Sequence, residues 1–77
     1  MPTLADLEVR QVARVCALRV DPELGQRLAA LGLRPDREIR VLRRGFLRGP
    51  LQVRVGATDF MLRFDAACLI DVEILAG

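Results

Sequence analysis

The sequence contains no histidine, serine, lysine, tyrosine or tryptophan among its 77 residues. Without histidine there is no imidazole base to activate a threonine or a thiol, and serine, the usual hydroxyl nucleophile, is missing too. A glycine-rich phosphate loop needs a lysine, which this chain does not have. These absences predict that the chain is not an enzyme and that it holds no cofactor.

Signals for secretion or membrane insertion are also lacking. The first eight residues carry two acids and no basic residue, unlike a secretory signal. No apolar run approaches the ~20 residues that a membrane-spanning helix needs. We therefore expect a cytoplasmic protein without direct membrane insertion. In a reducing cytosol Cys16 and Cys68 stay thiols, and both are expected to be small buried side chains.

The charge is small and evenly spread. All twelve basic residues are arginine, ten acids lie among them, and the net charge is +2. No polybasic arm is present, which argues against a dedicated nucleic-acid binder. RNA or DNA binding remains a lesser hypothesis, because Arg40 and Arg54 lie in segments that the pattern described below predicts to be strands of a small barrel. The length predicts one domain, residues 1–77, burying about 60% of the unfolded chain's surface.

The most informative segment is a helix that stops at a glycine and turns into a strand. Asp21 is predicted to cap the start of this helix, and Pro22 to be its first residue. An apolar stripe of Leu24, Leu28 and Leu31 follows, and Gly32 and Pro35 then end the helix.

Most of the remaining chain consists of short segments in which apolar and polar residues alternate. They predict strands at residues 11–20, 38–43, 51–55, 60–64 and 70–74, with a turn at 56–59 and a single helical turn capped by Asp65. On their inner faces lie Ile39, Val41, Leu51, Val53, Val55, Phe60, Leu62, Phe64, Ile70, Val72 and Ile74. We expect a mainly β fold, a small five-stranded barrel with one short helix between strands 1 and 2 and one helical turn before the last strand, because closure removes exposed edges.

The first strand has two competing phases. One places Ala13, Val15 and Ala17 inward, and the other would bury Arg14 on the same face as Val12, Cys16 and Leu18. Because an unpaired buried charge is costly, we favour the first, with a bulge near Cys16 that turns Leu18 inward.

Four linked segments along nearly the whole chain carry a family resemblance. They are Leu4-x-x-Leu7, Arg27-Leu28-x-x-Leu31-Gly32-Leu33-x-Pro35, Gly49-Pro50-Leu51, and Leu62-Arg63-x-x-x-Ala67-x-x-Ile70-x-Val72. In their order and spacing the chain resembles the FeoA family, the small SH3-like ferrous iron transport protein A. Two positions depart from the family pattern, because Asp36 and either Arg10 or Gln11 stand where glycine is usual.

The resemblance implies an SH3-like barrel with an accessory role in ferrous iron uptake. Its partner would be FeoB, the inner-membrane transporter with a cytosolic G-protein domain, and the chain would be peripheral to that membrane. A related SH3-like module occurs in iron-dependent repressors of the diphtheria-toxin-repressor type, so the alternative is a regulatory module. The oligomeric state stays open.

The resemblance implies transition metal ion binding at the level of the family, but the residues of this chain disfavour a role as a direct iron carrier. Sites for Fe²⁺ draw on imidazole and carboxylate, and there is no histidine. Asp71 and Glu73 form a carboxylate pair, which we interpret as a solvated strand face rather than as a metal site.

The candidate contact site is the tip of the loop at residues 44–50. Phe46 and Leu47 between glycines are expected to be exposed, unless one folds back over the barrel mouth. An aromatic residue beside arginine is typical of a binding hot spot. Arg44 and Arg48, with Arg43, would complement an acidic partner surface. We therefore predict partner binding by Arg44, Phe46, Leu47 and Arg48.

Overall fold

The computed structural model describes residues 1–76 and contains five strands, two helices and one 3₁₀ turn. In chain order these are the 3₁₀ turn Leu4–Asp6, β1 Val12–Leu18, α1 Pro22–Ala30, β2 Glu38–Arg44, β3 Leu51–Val55, β4 Thr58–Leu62, α2 Phe64–Ala67 and β5 Ile70–Ala76. This confirms the mainly β fold, the helix between the first two strands and the single helical turn before the last one.

The strands form one antiparallel sheet in the order β4-β3-β2-β1-β5. The sheet is barrel-like but not closed, because its two outermost strands, β4 and β5, do not pair in the part of the chain described. The β5 edge is covered by the N-terminal segment, where Val72 N–H donates to the Pro2 carbonyl at 3.0 Å and Thr3 bridges Asp71. No segment of residues 1–76 pairs with the outer edge of β4.

The core is aliphatic and is built by the inward residues of each strand. On β1, Ala13 and Val15 are fully buried, and a register shift between Val15 and Ala17 turns Leu18 against the core. The predicted bulge is confirmed, and the predicted phase is confirmed for Ala13 and Val15, whereas Ala17 is only half-buried. The expectation that both cysteines are buried was wrong for Cys16, which is exposed because it lies on the outward side of this strand.

Helix α1 begins and ends where the sequence predicts. The Asp21 side chain accepts a hydrogen bond from Leu24 N–H at 3.0 Å, and Pro22 is the first helical residue. At the other end Gly32 has φ +98°, and Leu33 N–H reaches the Leu28 carbonyl at 2.9 Å. This is a Schellman ending, with Leu28 and Leu33 both buried beneath it.

Three predictions near the C-terminus need correction. The turn before β4 contains only Gly56 and Ala57, so the strand starts at Thr58 and Phe64 opens α2 instead of ending β4. Arg63, and not Asp65, occupies the N-cap position of α2. Ile74 is 43% exposed, because β5 continues to Ala76 beyond the region that the core covers.

In the turns before β1 and β2, two residues hold left-handed backbone conformations that favour glycine. Arg10 has φ +75° and Asp36 has φ +73°. Each is fixed by a backbone hydrogen bond, Arg10 N–H to the Val41 carbonyl and Asp36 N–H to the Val15 carbonyl, both at 2.8 Å. These are the turns where the family resemblance led us to expect glycine, so the backbone geometry is kept without it.

Replacing Arg10 by glycine is expected to stabilise the domain. A left-handed residue other than glycine costs about 1–2 kcal/mol, part of which glycine loses again through its freer unfolded chain. We expect Arg10→Gly to raise the free energy of unfolding by about 0.5–1 kcal/mol, and Asp36→Gly to raise it by less, because aspartate tolerates this region better. Urea unfolding measures both. The control Arg34→Gly, at an exposed arginine outside the left-handed region, should lower stability; equal changes at both arginines would contradict the account.

Candidate interaction surface

The loop between β2 and β3 is a tight, fixed turn. Gly45 N–H donates to the Pro50 carbonyl at 2.8 Å, and Gly49 N–H donates to the Phe46 carbonyl at 3.1 Å. Leu47 and Arg48 both have positive φ, 53° and 63°. Two consecutive left-handed residues define a type I′ turn, which normally takes asparagine and glycine. The chain thus holds a leucine and an arginine in a backbone shape that disfavours them, as is often seen at functional sites.

The two glycines at the base of this turn are required by close packing of the backbone. A Cβ atom on Gly45 would lie 2.8 Å from backbone atoms of Gly49, and one on Gly49 would lie 3.1 Å from the Gly45 Cα. The two backbone segments at the base of the tip therefore approach too closely to accommodate a side chain at Gly45.

The tip presents two apolar side chains to solvent. Phe46 is 87% exposed and Leu47 is 82% exposed. Neither folds back over the barrel mouth, so the predicted exposure of both residues is confirmed. A rigid turn that exposes an aromatic and an aliphatic side chain has the form of a contact point, since such surface is stabilised when a partner covers it.

The arginines around the tip point to different places. Arg44 donates to the carbonyls of Ala5 and Leu7, at 2.9 and 2.5 Å, and so ties the N-terminal turn to β2. Arg48 lies over the Phe64 ring, 5.8 Å from its centroid. Arg48 is thus in the same turn as Phe46 and Leu47 and its guanidinium reaches Phe64 of α2, whereas the guanidinium of Arg44 is bound by the N-terminal turn.

A depression beside the tip extends this surface toward α2. It has a volume of about 380 Å³ and is lined by Arg48, Pro50, Arg63, Phe64 and Asp65. Sequence reasoning missed Arg63 and Phe64, because it placed them on strand 4 rather than at the start of α2. The sequence did contain a signal for this placement. Asp65 suits the first turn of a helix and Ala66 and Ala67 suit its continuation, which puts Arg63 and Phe64 at the helix start.

Carboxylates on β5 are engaged in ion pairs. Arg19 binds Asp71 through two nitrogens, and Arg14 lies 3.1 Å from Glu73. The hydrogen bonds from Arg19 lower the pKa of Asp71 below its ordinary value of 3.8. Across residues 1–76, no three histidine, cysteine or acidic side chains gather as a metal site would require. No helix in that range is long and apolar enough to cross a membrane.

The family model for the FeoA domain matches residues 3–74. The chain belongs to the FeoA family. Family membership supports a role in ferrous iron transport and agrees with the motifs at the helix end and in the last strands. No curated protein sequence matches the chain.

Solved FeoA structures share this fold. The solution structure of FeoA from Chlorobium tepidum is 32% identical with a TM-score of 0.92, over 99% of this chain and 72% of that one. The iron(II) transport protein A from Clostridium thermocellum is 31% identical with a TM-score of 0.89, over 96% of this chain and 46% of that one. FeoA from Stenotrophomonas maltophilia, a procaryotic SH3 domain protein complexed with zinc, is 30% identical with a TM-score of 0.81, over 95% of this chain and 91% of that one.

The FeoA-like fold also occurs within larger regulators. A manganese-dependent transcriptional repressor is 25% identical with a TM-score of 0.85, and the match covers 96% of this chain but 41% of the repressor. The module is therefore one part of that protein.

Proposed function

We propose that this domain is an accessory protein of ferrous iron uptake that binds the cytosolic part of a FeoB-type transporter, which carries the G-protein domain. The domain holds no cofactor and performs no catalysis. It works in the cytoplasm and reaches the inner membrane only through the transporter.

The observation that carries this proposal is the exposed tip. Phe46 and Leu47 protrude from a turn that Gly45 and Gly49 hold in place. Rigid apolar anchors bind with little loss of conformational entropy, because their geometry is already set. Arg48 beside them adds a charge that orients an acidic partner surface. Arg44 contributes by fixing the base of the loop to the N-terminal turn.

A regulatory module is the second candidate, favoured by the fold shared with the manganese-dependent repressor. Such a role needs a DNA-binding domain in addition to this module. Within residues 1–76, α1 and α2 are separated by three strands, and α2 is four residues long, so they do not form a helix-turn-helix. Nucleic-acid binding through Arg54 is weakened because Asp59 binds its guanidinium through two oxygens.

Co-purification separates the two candidates. A tagged copy of the chain is isolated from detergent-solubilised cells, and its partners are identified by mass spectrometry. We expect the ferrous iron transporter to be recovered and a metal-dependent repressor to be absent. Recovery of the repressor without the transporter would favour the regulatory role.

A further inference from the structure

In the described part of the chain, strand β4 has an outer edge whose backbone groups have no partner. The register pairs Val55 with Thr58 across the two-residue turn, so pairing alternates from there and Thr58, Phe60 and Leu62 bond to β3. The N–H and C=O groups of Asp59 and Met61 consequently point away from the sheet. Within residues 1–76 no backbone hydrogen bond joins β4 to any element other than β3, whereas β5 donates one to the Pro2 carbonyl through Val72 N–H.

An apolar groove runs along this open edge. It lies between β4 and α1, has a volume of about 260 Å³, and is lined mainly by Leu24, Leu28, Leu31, Phe60 and Met61. Leu31, on the apolar stripe of α1, is 39% exposed, and Met61, on the outward side of β4, is 59% exposed. A cavity of about 150 Å³ lined by such side chains holds a benzene ring, so this groove has room for a large apolar side chain.

The rim of the groove carries positive charge. Arg27 and Arg63 line it, and neither forms an ion pair with any acid in residues 1–76. The acid on β4, Asp59, is held by Arg54 at 2.6 and 2.9 Å. These hydrogen bonds lower the pKa of Asp59, so the carboxylate stays charged and paired at neutral pH. The groove therefore matches an occupant that is apolar and acidic.

We propose that the open edge of β4 binds an extended segment of a partner protein, which adds to the sheet as a strand. Its backbone pairs with Asp59 and Met61, an apolar side chain enters the groove beside α1, and acidic side chains meet Arg27 and Arg63. An extended segment satisfies the free backbone groups of the edge, which a helix in the groove would leave unpaired. A second copy of this chain would bring the same arginines to the rim and no free acid on its own β4.

This inference is independent of the proposed contact at Phe46. The groove and the depression at the hairpin tip are neighbours on the surface, because Arg63 lines both. One partner can therefore engage the tip and the edge together, and each contact can be tested alone.

The test uses the full chain and a synthetic peptide, acetyl-Glu-Val-Glu-Leu-Glu-Val-Glu-amide, followed by amide NMR. We expect the Asp59 and Met61 amides to shift and to exchange more slowly with solvent on peptide addition. Arg63→Glu and Arg27→Glu should each weaken binding about tenfold, since a charge pair at the rim becomes a repulsion. The matched control Arg34→Glu, at an exposed arginine outside the groove, should bind as the unaltered chain does.

Backbone pairing is tested by a peptide with N-methyl groups on its alternate amides. Loss of binding is expected, because methylation removes the donors that face β4. Equal binding of the methylated peptide, a helical bound peptide, or no shift at Asp59 and Met61 would overturn the proposal. Shifts of these amides that follow protein concentration without peptide would also overturn it, in favour of a second copy. Phe46→Asp should leave peptide binding unchanged, so failure of this proposal is distinguishable from failure of the transporter contact.

Discussion

Phe46→Asp is expected to weaken binding of the domain to the cytosolic part of the transporter by about 30-fold. A central aromatic anchor in an interface contributes about 2 kcal/mol or more, and each 1.4 kcal/mol corresponds to a factor of about ten in affinity. Aspartate also places a charge where the partner would cover an apolar ring, which adds a desolvation cost. Titration of the purified cytosolic part with either form of the domain measures the change.

The same substitution should leave the fold intact. Phe46 is 87% exposed and contributes little to the core, so the urea midpoint should remain unchanged. Val9→Asp is the matched control, because Val9 is an exposed apolar residue in the turn before β1. Its affinity should equal that of the unaltered domain. Equal affinities for Phe46→Asp and the unaltered domain would remove the tip from the binding site.

Leu33→Ala is expected to produce the largest loss of stability, about 2–5 kcal/mol, through the cavity it leaves. Leu33 is fully buried at the Schellman ending of α1 and belongs to the same core cluster as Leu28. A domain of this size is stable by only about 4–12 kcal/mol in total, so the change removes a large share. Urea unfolding at constant pH gives the free energy directly.

Leu31→Ala provides the control for this substitution. It removes the same atoms two residues earlier, but Leu31 is 39% exposed and its side chain lines an open groove. The expected cost is below about 1 kcal/mol, because little apolar area returns to water. Similar losses for the two alanine variants would show that the helix ending does not organise the core as described.

The local signals in the sequence predicted most of the fold. Asp21, Pro22 and Gly32 act within their own turns, and alternation acts within one strand, so both can be interpreted without knowledge of distant contacts. The exposure of Phe46 and Leu47 followed from the glycines on either side. Cys16 was placed wrongly because composition indicates burial but does not indicate which face of β1 a residue occupies.

The groove and the open edge could not be predicted in this way. They bring α1 and β4 together, which are separated by two strands and their loops. A closed barrel was expected because edges are a liability, yet only strand order shows that β4 remains uncovered. The position of the Arg44 guanidinium could not be predicted either, because it is set by hydrogen bonds to the N-terminal turn, which is distant in sequence.

Uptake of labelled ferrous iron tests the central claim most directly. It is measured under reducing conditions in cells that lack only this chain, and again after the chain is restored. The account predicts that uptake falls without the chain and recovers when it returns, but does not recover with the Phe46→Asp form. Unchanged uptake in cells lacking the chain would contradict a role in ferrous iron transport through the transporter.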